Sequence, residues 1–253
     1  HAQLIKEAQI SAQLQHPGII PVHEMGNLPN NSFYFTMKEI RGRTFKEIIT
    51  RVHTASSDGI WRPAADGWNF RRLISVFHSI CETIAYSHSR GVIHLDIKPA
   101  NIMIGDYGEV LVVDWGIAQL IDNGSTEDAI QIIQESTNKE KEHSDIRGTP
   151  TYMAPEQALG LSEQIDQRSD IYALGSMLYQ ILSGRNAYLG RSLEIVQQKR
   201  SIDPPSVREA ITKPHRIRPS AAQRPHRIRA VPEELADACD KAMQRKRDPR
   251  VHF

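Results

Sequence analysis

Cysteine is scarce in this chain: Cys81 and Cys239 are the only two in 253 residues. Both fall among apolar residues at helical spacing, so they read as buried, reduced thiols rather than a disulfide or part of a metal site. Long apolar runs are missing too. No stretch approaches the length of a bilayer span, which excludes a membrane-crossing helix within these residues. Charge of one sign is also lacking, since 31 Lys and Arg stand against 30 Asp and Glu, for a net charge of +1. That balance gives no general argument for nucleic acid or an anionic membrane as partner. No signal peptide opens the chain, and with reduced thiols a cytoplasmic setting is expected for these residues, with a membrane anchor elsewhere in a longer parent protein as the open alternative. What remains is ordinary globular composition, 40% hydrophobic and 24% charged, with enough length for a sizeable core.

Against this plain background, one region concentrates chemistry. The run His94-Leu95-Asp96-Ile97-Lys98-Pro99-Ala100-Asn101 is followed by Asp114-Trp115-Gly116. Together they offer a carboxylate to orient a hydroxyl, a cation for a phosphate, and an amide with a second carboxylate for Mg²⁺. Gly91-Val92-Ile93 leads in. Ile102-Met103-Ile104, a Gly105-Asp106-Tyr107-Gly108 turn and Val110-Leu111-Val112-Val113 then predict a hairpin that carries Asp96 and Asp114 to the mouth of one cleft. Taken singly, each residue has a plainer reading as a capping aspartate, a solvated lysine or a turn-stabilising side chain. Their joint spacing favours phosphoryl transfer.

These segments carry a resemblance to a known family. HLDIKPAN and DWG are similar to the HRDLKPxN and DFG motifs of eukaryotic-type serine/threonine protein kinases of the bacterial style. Gly148-Thr149-Pro150-Thr151-Tyr152-Met153-Ala154-Pro155-Glu156 resembles the end of an activation segment, and Asp170-Ile171-Tyr172-Ala173-Leu174-Gly175 the start of the central large-lobe helix. Glu7 and the later Leu14-Gln15-His16-Pro17-Gly18-Ile19-Ile20 resemble the small-lobe helix and the turn after it. The resemblance covers essentially the whole chain, with one gap. No Gly-x-Gly-x-x-Gly run occurs, nor a strand lysine to pair with Glu7, and the chain opens at His1 within the first helix. A fragment lacking the first three strands is therefore expected, with MgATP bound weakly and phosphate transferred poorly.

The resemblance implies an α+β, two-lobe fold, with residues 1–40 as a remnant small lobe and 41–253 as the large lobe. It implies ATP and Mg²⁺ as cofactors, and proteins with Ser or Thr acceptors as partners. Asp96 would be the base or orienting group, Lys98 would reach the γ-phosphate, and Asn101 and Asp114 would hold Mg²⁺. Met37 would be the gatekeeper, Glu39 and Ile40 the hinge facing adenine, and Met103 the floor beneath it. Thr149 would position substrate, and Glu156 would pair with Arg250. Asp170 would hold the catalytic-loop backbone, and Glu7, without its strand partner, would be solvated.

Two positions depart from the family pattern. Trp115 replaces the phenylalanine of DFG and, as a large aromatic, can still pack against the first helix. Leu95 replaces an arginine that pairs with a phosphorylated activation loop, a charge-assisted contact leucine cannot make. Activation is therefore expected not to depend on that arginine switch.

Elsewhere, the sequence predicts a helix over Ala2 to Leu14 and a hairpin from Ile19 to Met25 and Phe33 to Met37. It predicts an inserted polar loop from His53 to Gly67 and a helix with the buried stripe Leu73, Ile74, Phe77, Ile80, Cys81, Ile84 and Ala85. A second stripe, Ile171 to Leu182, ends at Gly184, and a last helix spans Leu235 to Met243. The polar stretch from Glu127 to Asp145 reads as a mobile activation loop, with Ser136, Thr137 and Ser144 as autophosphorylation candidates. Pro-His-Arg-Ile-Arg occurs at Pro214 to Arg218 and again at Pro225 to Arg229, either as an irregular surface loop or as a basic docking site. The rival to the kinase reading is a noncatalytic kinase-fold module that binds a protein partner.

Overall fold

The computed structural model describes residues 2–56, 60–121, 148–212 and 230–250. The segment from Glu127 to Asp145, with Ser136, Thr137 and Ser144, and both Pro-His-Arg-Ile-Arg repeats lie outside the described residues.

The first helix, α1 (Ala2–Gln13), buries Ala8 and Ile10. Strands β1 (Val22–Asn27) and β2 (Phe33–Met37) then form an antiparallel pair in which Asn27 faces Phe33 and Met25 faces Phe35. The turn closes through Asn31, whose N–H donates to the Leu28 carbonyl at 2.8 Å. A three-stranded antiparallel sheet follows, in the order β3 (Gly42–Thr44), β5 (Ile102–Gly105), β6 (Val110–Val112). β5 and β6 are the expected hairpin, with Met103 opposite Leu111. The smallest sheet pairs β4 (Val92–Ile93) with β7 (Gln119–Leu120).

Helix α2 (Phe45–Ala55) starts at a reciprocal cap. The Thr44 hydroxyl accepts from the Glu47 N–H, while the Glu47 carboxylate accepts from the Thr44 N–H. Its buried residues Phe45, Ile48, Ile49 and Val52 fall on one face at i, i+3, i+4 and i+7. The polar loop expected from His53 needs correction here. His53 to Ala55 continue the helix, and the His53 ring meets the Ile181 carbonyl at 2.9 Å. Trp61 stacks on Phe70 at 4.3 Å, and Trp68 is buried beneath the Arg72 guanidinium at 3.9 Å. Two large aromatics bury enough apolar area to fix this segment to the body.

Helix α3 (Phe70–Ser89), capped by the Asn69 side chain, buries Leu73, Val76, Phe77, Ile80 and Ile84. The short helix α4 (Pro155–Ala158) precedes the central helix α5 (Gln167–Ser183), which is buried almost throughout. Gly184 ends α5 in the left-handed region at φ 72°, where glycine carries no Cβ penalty. The remaining helices are α6 (Ser192–Ser201), α7 (Val207–Thr212) and α8 (Glu233–Ala242). α8 lies so close to α5 that a Cβ at Gly175 would meet the Ala242 Cβ at 2.8 Å. One apolar core joins Ile10 and Leu14 to Trp115, α3 and α5, and takes in Ile97 and Ile102 from the run that follows β4. Among the described residues, no helix is long and apolar enough to cross a membrane.

Candidate active site

The run from His94 to Asn101 leaves β4 and enters β5 through a single turn at Pro99–Asn101. Its backbone is held from beneath by Asp170 on the first turn of α5. That fully buried carboxylate accepts from the N–H groups of His94 and Leu95, both at 2.8 Å, and from the His88 ring at 2.8 Å. Three donors satisfy a charge that would be costly to bury alone.

His94 is also buried, and its two ring nitrogens have different partners. Nε2 meets the Val113 carbonyl at 3.2 Å, and Nδ1 accepts from the Asp96 N–H at 3.2 Å. One nitrogen donates and the other accepts, as in the neutral ring. Burial pushes the His94 pKa below its ordinary value, against the pull of nearby Asp170. The ring thus ties the loop that carries Asp96 to the chain that leads from β6 to Asp114.

Above this base, the chemical groups converge. Asp96 Oδ1 accepts from both the N–H and the hydroxyl of Thr149, at 2.9 and 2.8 Å. Its other oxygen accepts from Lys98 Nζ at 2.5 Å and from Asn101 Nδ2 at 3.1 Å. Lys98 Nζ also donates to the Thr149 hydroxyl at 2.8 Å. Asn101 extends the same amide nitrogen to Asp114 at 3.4 Å, which leaves its hard oxygen Oδ1 as the atom available to a cation. Asp114 itself is exposed beyond the end of β6 with φ of 68°. Among the described residues, no group of three or more His, Cys, Asp and Glu is arranged to enclose a metal. One carboxylate and one amide oxygen, completed by phosphate and water, suit Mg²⁺.

Trp115 is buried. Its ring lies 4.6 Å from that of His94, and its N–H donates to the Val112 carbonyl at 3.3 Å. Glu7 corrects the expectation that it would be solvated. It is half-buried on α1 and faces the DWG segment, because a Cβ at Gly116 would lie 3.3 Å from its carboxylate. Burial, then the charge of Asp114, raises the Glu7 pKa.

The expected nucleotide-contacting residues are more dispersed. Met37 is 40% exposed at the end of β2, Glu39 is exposed and paired with Arg41 at 3.2 Å, Ile40 is half-exposed, and Met103 is half-buried on β5. Glu156 and Arg250 meet in the interior, where Ser169 adds a 2.8 Å bond to the same carboxylate. The sequence reading passed over His88, Gln157 and Lys199. Each sits on a helix among polar neighbours and carries no signal of its own until the fold brings its partner close.

A carboxylate, an ammonium, an amide and a second carboxylate are thus brought together on this frame. The match to the family described as protein kinase domain runs over residues 1–252, and the chain belongs to that family. Its relatives include three bacterial proteins, each named serine/threonine-protein kinase PknD. The one from Protochlamydia amoebophila (strain UWE25) is 40% identical over 195 residues, 76% of this chain and 20% of that protein. The one from Chlamydia pneumoniae is 38% identical over 188 residues, 72% of this chain and 19% of that protein. The one from Chlamydia felis (strain Fe/C-56) is 32% identical over 254 residues, 99% of this chain and 25% of that protein. This chain therefore spans a quarter or less of the curated relatives it matches.

Proposed function

We propose that this chain is a serine/threonine kinase domain that transfers the γ-phosphoryl group of ATP to Ser or Thr hydroxyls of proteins. Residues 1–40 would contribute the small-lobe part and 41–253 the large lobe. The observation that carries the reading is the Thr149 hydroxyl, which donates to Asp96 at 2.8 Å and accepts from Lys98 at 2.8 Å. An aliphatic alcohol already sits between the carboxylate and the ammonium. A substrate Ser or Thr presents the same group.

In the transfer step, Asp96 accepts a hydrogen bond from the substrate hydroxyl and takes its proton, so that the oxygen lone pair attacks the γ-phosphorus. The bond from the γ-phosphorus to the bridging oxygen breaks, and ADP leaves with that oxygen. Lys98 neutralises charge on the transferring group. Because the transition state is loose, alignment and charge account for most of the catalysis. Asn101 and Asp114 would hold Mg²⁺, which supplies neutralising charge to the phosphates when bound. Met37, Glu39, Ile40 and Met103 would line the adenine end, and a cytoplasmic setting would supply the ATP.

The names of the relatives and the assembled polar groups favour this reading over a noncatalytic module. Radiolabelled transfer from ATP to a generic basic protein, followed by phosphoamino-acid analysis, tests it. Label on Ser and Thr that requires Mg²⁺ and is abolished in Asp114→Asn is expected. Transfer independent of Mg²⁺, or untouched by that change, would overturn it.

A further inference from the structure

We infer that Gln157 is a positioning residue for phosphoryl transfer: its amide bridges the catalytic loop and the segment ending at Glu156, and so sets the peptide from which Asp96 projects. The inference rests on Asp96 as the orienting group.

Leu95 lies in the left-handed region at φ 66°, which residues with a branched side chain rarely adopt. Such a conformation persists only where its surroundings determine it. Here the N–H of Leu95 is held by Asp170 at 2.8 Å, and its carbonyl accepts from Gln157 Nε2 at 3.0 Å across 62 residues of sequence. The Leu95 carbonyl and the Asp96 N–H belong to one peptide plane, and that N–H is in turn held by His94 Nδ1 at 3.2 Å. Rotation of this plane would swing the Asp96 side chain away from Thr149 and Lys98. Gln157 bonds the carbonyl side of this plane and His94 its N–H side, while Asp170 holds the preceding peptide through the Leu95 N–H.

The other end of the same amide is engaged too. Gln157 Oε1 accepts from the Ala154 N–H at 2.9 Å, as a third-position residue of a helix does in a reciprocal cap. Capping α4 would need only this oxygen. The nitrogen is spent on Leu95, and the side chain is 5% exposed, so water does not stand in for either partner. Gly148 closes the carbonyl from a further side, since a Cβ there would lie 3.1 Å from the Leu95 oxygen. The Leu95 carbonyl is thus fixed between the two ends of the segment from Gly148 to Gln157.

The test uses the purified protein with Gln157→Met, of similar volume but without either bond, and Gln157→Glu. In Gln157→Met, kcat should fall about ten- to a hundredfold, the range for losing buried hydrogen bonds, while KM for ATP stays within about twofold. Hydrogen exchange in residues 93–101 should quicken, with α3 unchanged. Gln157→Glu keeps the acceptor toward Ala154 but, when ionised, has no donor for Leu95. Its kcat relative to wild type should therefore recover as pH falls and the buried carboxyl regains its proton. Unchanged kcat in Gln157→Met, or a pH-independent deficit in Gln157→Glu, would overturn the inference. Should the Met variant fail to fold, the Glu profile decides. Should the wild-type chain transfer no phosphate, the tether is judged apart from the kinase reading, by exchange in 93–101 alone: unchanged exchange in Gln157→Met refutes it.

Discussion

Arg250 and Glu156, 94 residues apart in sequence, meet through two hydrogen bonds of 2.7 and 3.0 Å with both side chains buried. The fork-to-fork geometry joins the start of α4 to the segment after α8, and Arg250 also reaches the carbonyls of Gln244, Arg245 and Arg168. Removing one partner leaves an uncompensated charge in the interior. Glu156→Gln and Arg250→Met should each cost about 3–5 kcal/mol in urea unfolding. Arg250→Lys should recover little of it, because one ammonium cannot make both bonds.

Thr149 contributes a hydroxyl and a backbone N–H to Asp96, but only the hydroxyl also meets Lys98. Thr149→Val keeps the shape and the backbone bond and deletes the bridge. Its kcat should fall by about tenfold or more, whereas Thr149→Ser should stay within about threefold of wild type. Steady-state assays on matched preparations measure both, and equal losses in the two variants would show that the hydroxyl bridge does not by itself carry the effect.

Lys199 is fully buried on α6, where its ammonium donates to the Met153 carbonyl at 2.6 Å and faces the rings of Tyr172 and Tyr188 at 4.7 and 4.8 Å. Burial, aided by Arg250 and opposed by Glu156, pushes its pKa down from 10.5 to about 7. Between those values the unfolded chain holds a proton that the folded chain has released, so stability rises with pH across that window and is lost as pH falls toward 7. The slope from this residue approaches about 1.4 kcal/mol per pH unit. Urea titrations from pH 7 to 10 should show a shallower rise for Lys199→Met than for wild type.

Leu95 is buried, its apolar side chain offers nothing for a phosphate to pair with, and its backbone is held by Asp170 and Gln157. Phosphatase treatment should therefore change the activity of the wild-type protein by less than about twofold. Leu95→Arg should make activity newly sensitive to that treatment. Strong inactivation of wild type by phosphatase would show control through another contact.

Much of this was legible in the sequence because the chemistry is local. Asp96, Lys98 and Asn101 share one loop, and the Gly105–Gly108 turn announces the hairpin that brings Asp114 alongside. The Gly184 stop of α5 and the stripe of α3 at Leu73, Phe77, Ile80 and Ile84 follow from helical spacing, whereas Ala85, expected in that stripe, is exposed and Ile74 and Cys81 are half-buried. What escaped depends on distant partners. Lys199 lies in Gln-Gln-Lys-Arg, which reads as a solvated face, and is buried only because Met153 and two tyrosines close over it. Gln157 looks like any helix-forming polar residue until Leu95 arrives from 62 positions away. Trp61 and Trp68 turned an apparent loop into packed structure, since composition counted its polar residues and overlooked what two indoles bury. Glu7 was misplaced for a related reason: its neighbour is not on an adjacent strand but in the DWG segment.

The central claim is that Asp96 orients and deprotonates the acceptor hydroxyl, and phosphate transfer by Asp96→Asn measures it most directly. Asparagine preserves size and its single carbonyl oxygen can still accept from Thr149, but its amide nitrogen cannot accept from Lys98, and the group cannot take a proton. The account predicts a fall in kcat of about a hundredfold or more, with binding of MgATP and the unfolding midpoint unchanged. Transfer at the wild-type rate by Asp96→Asn would contradict it.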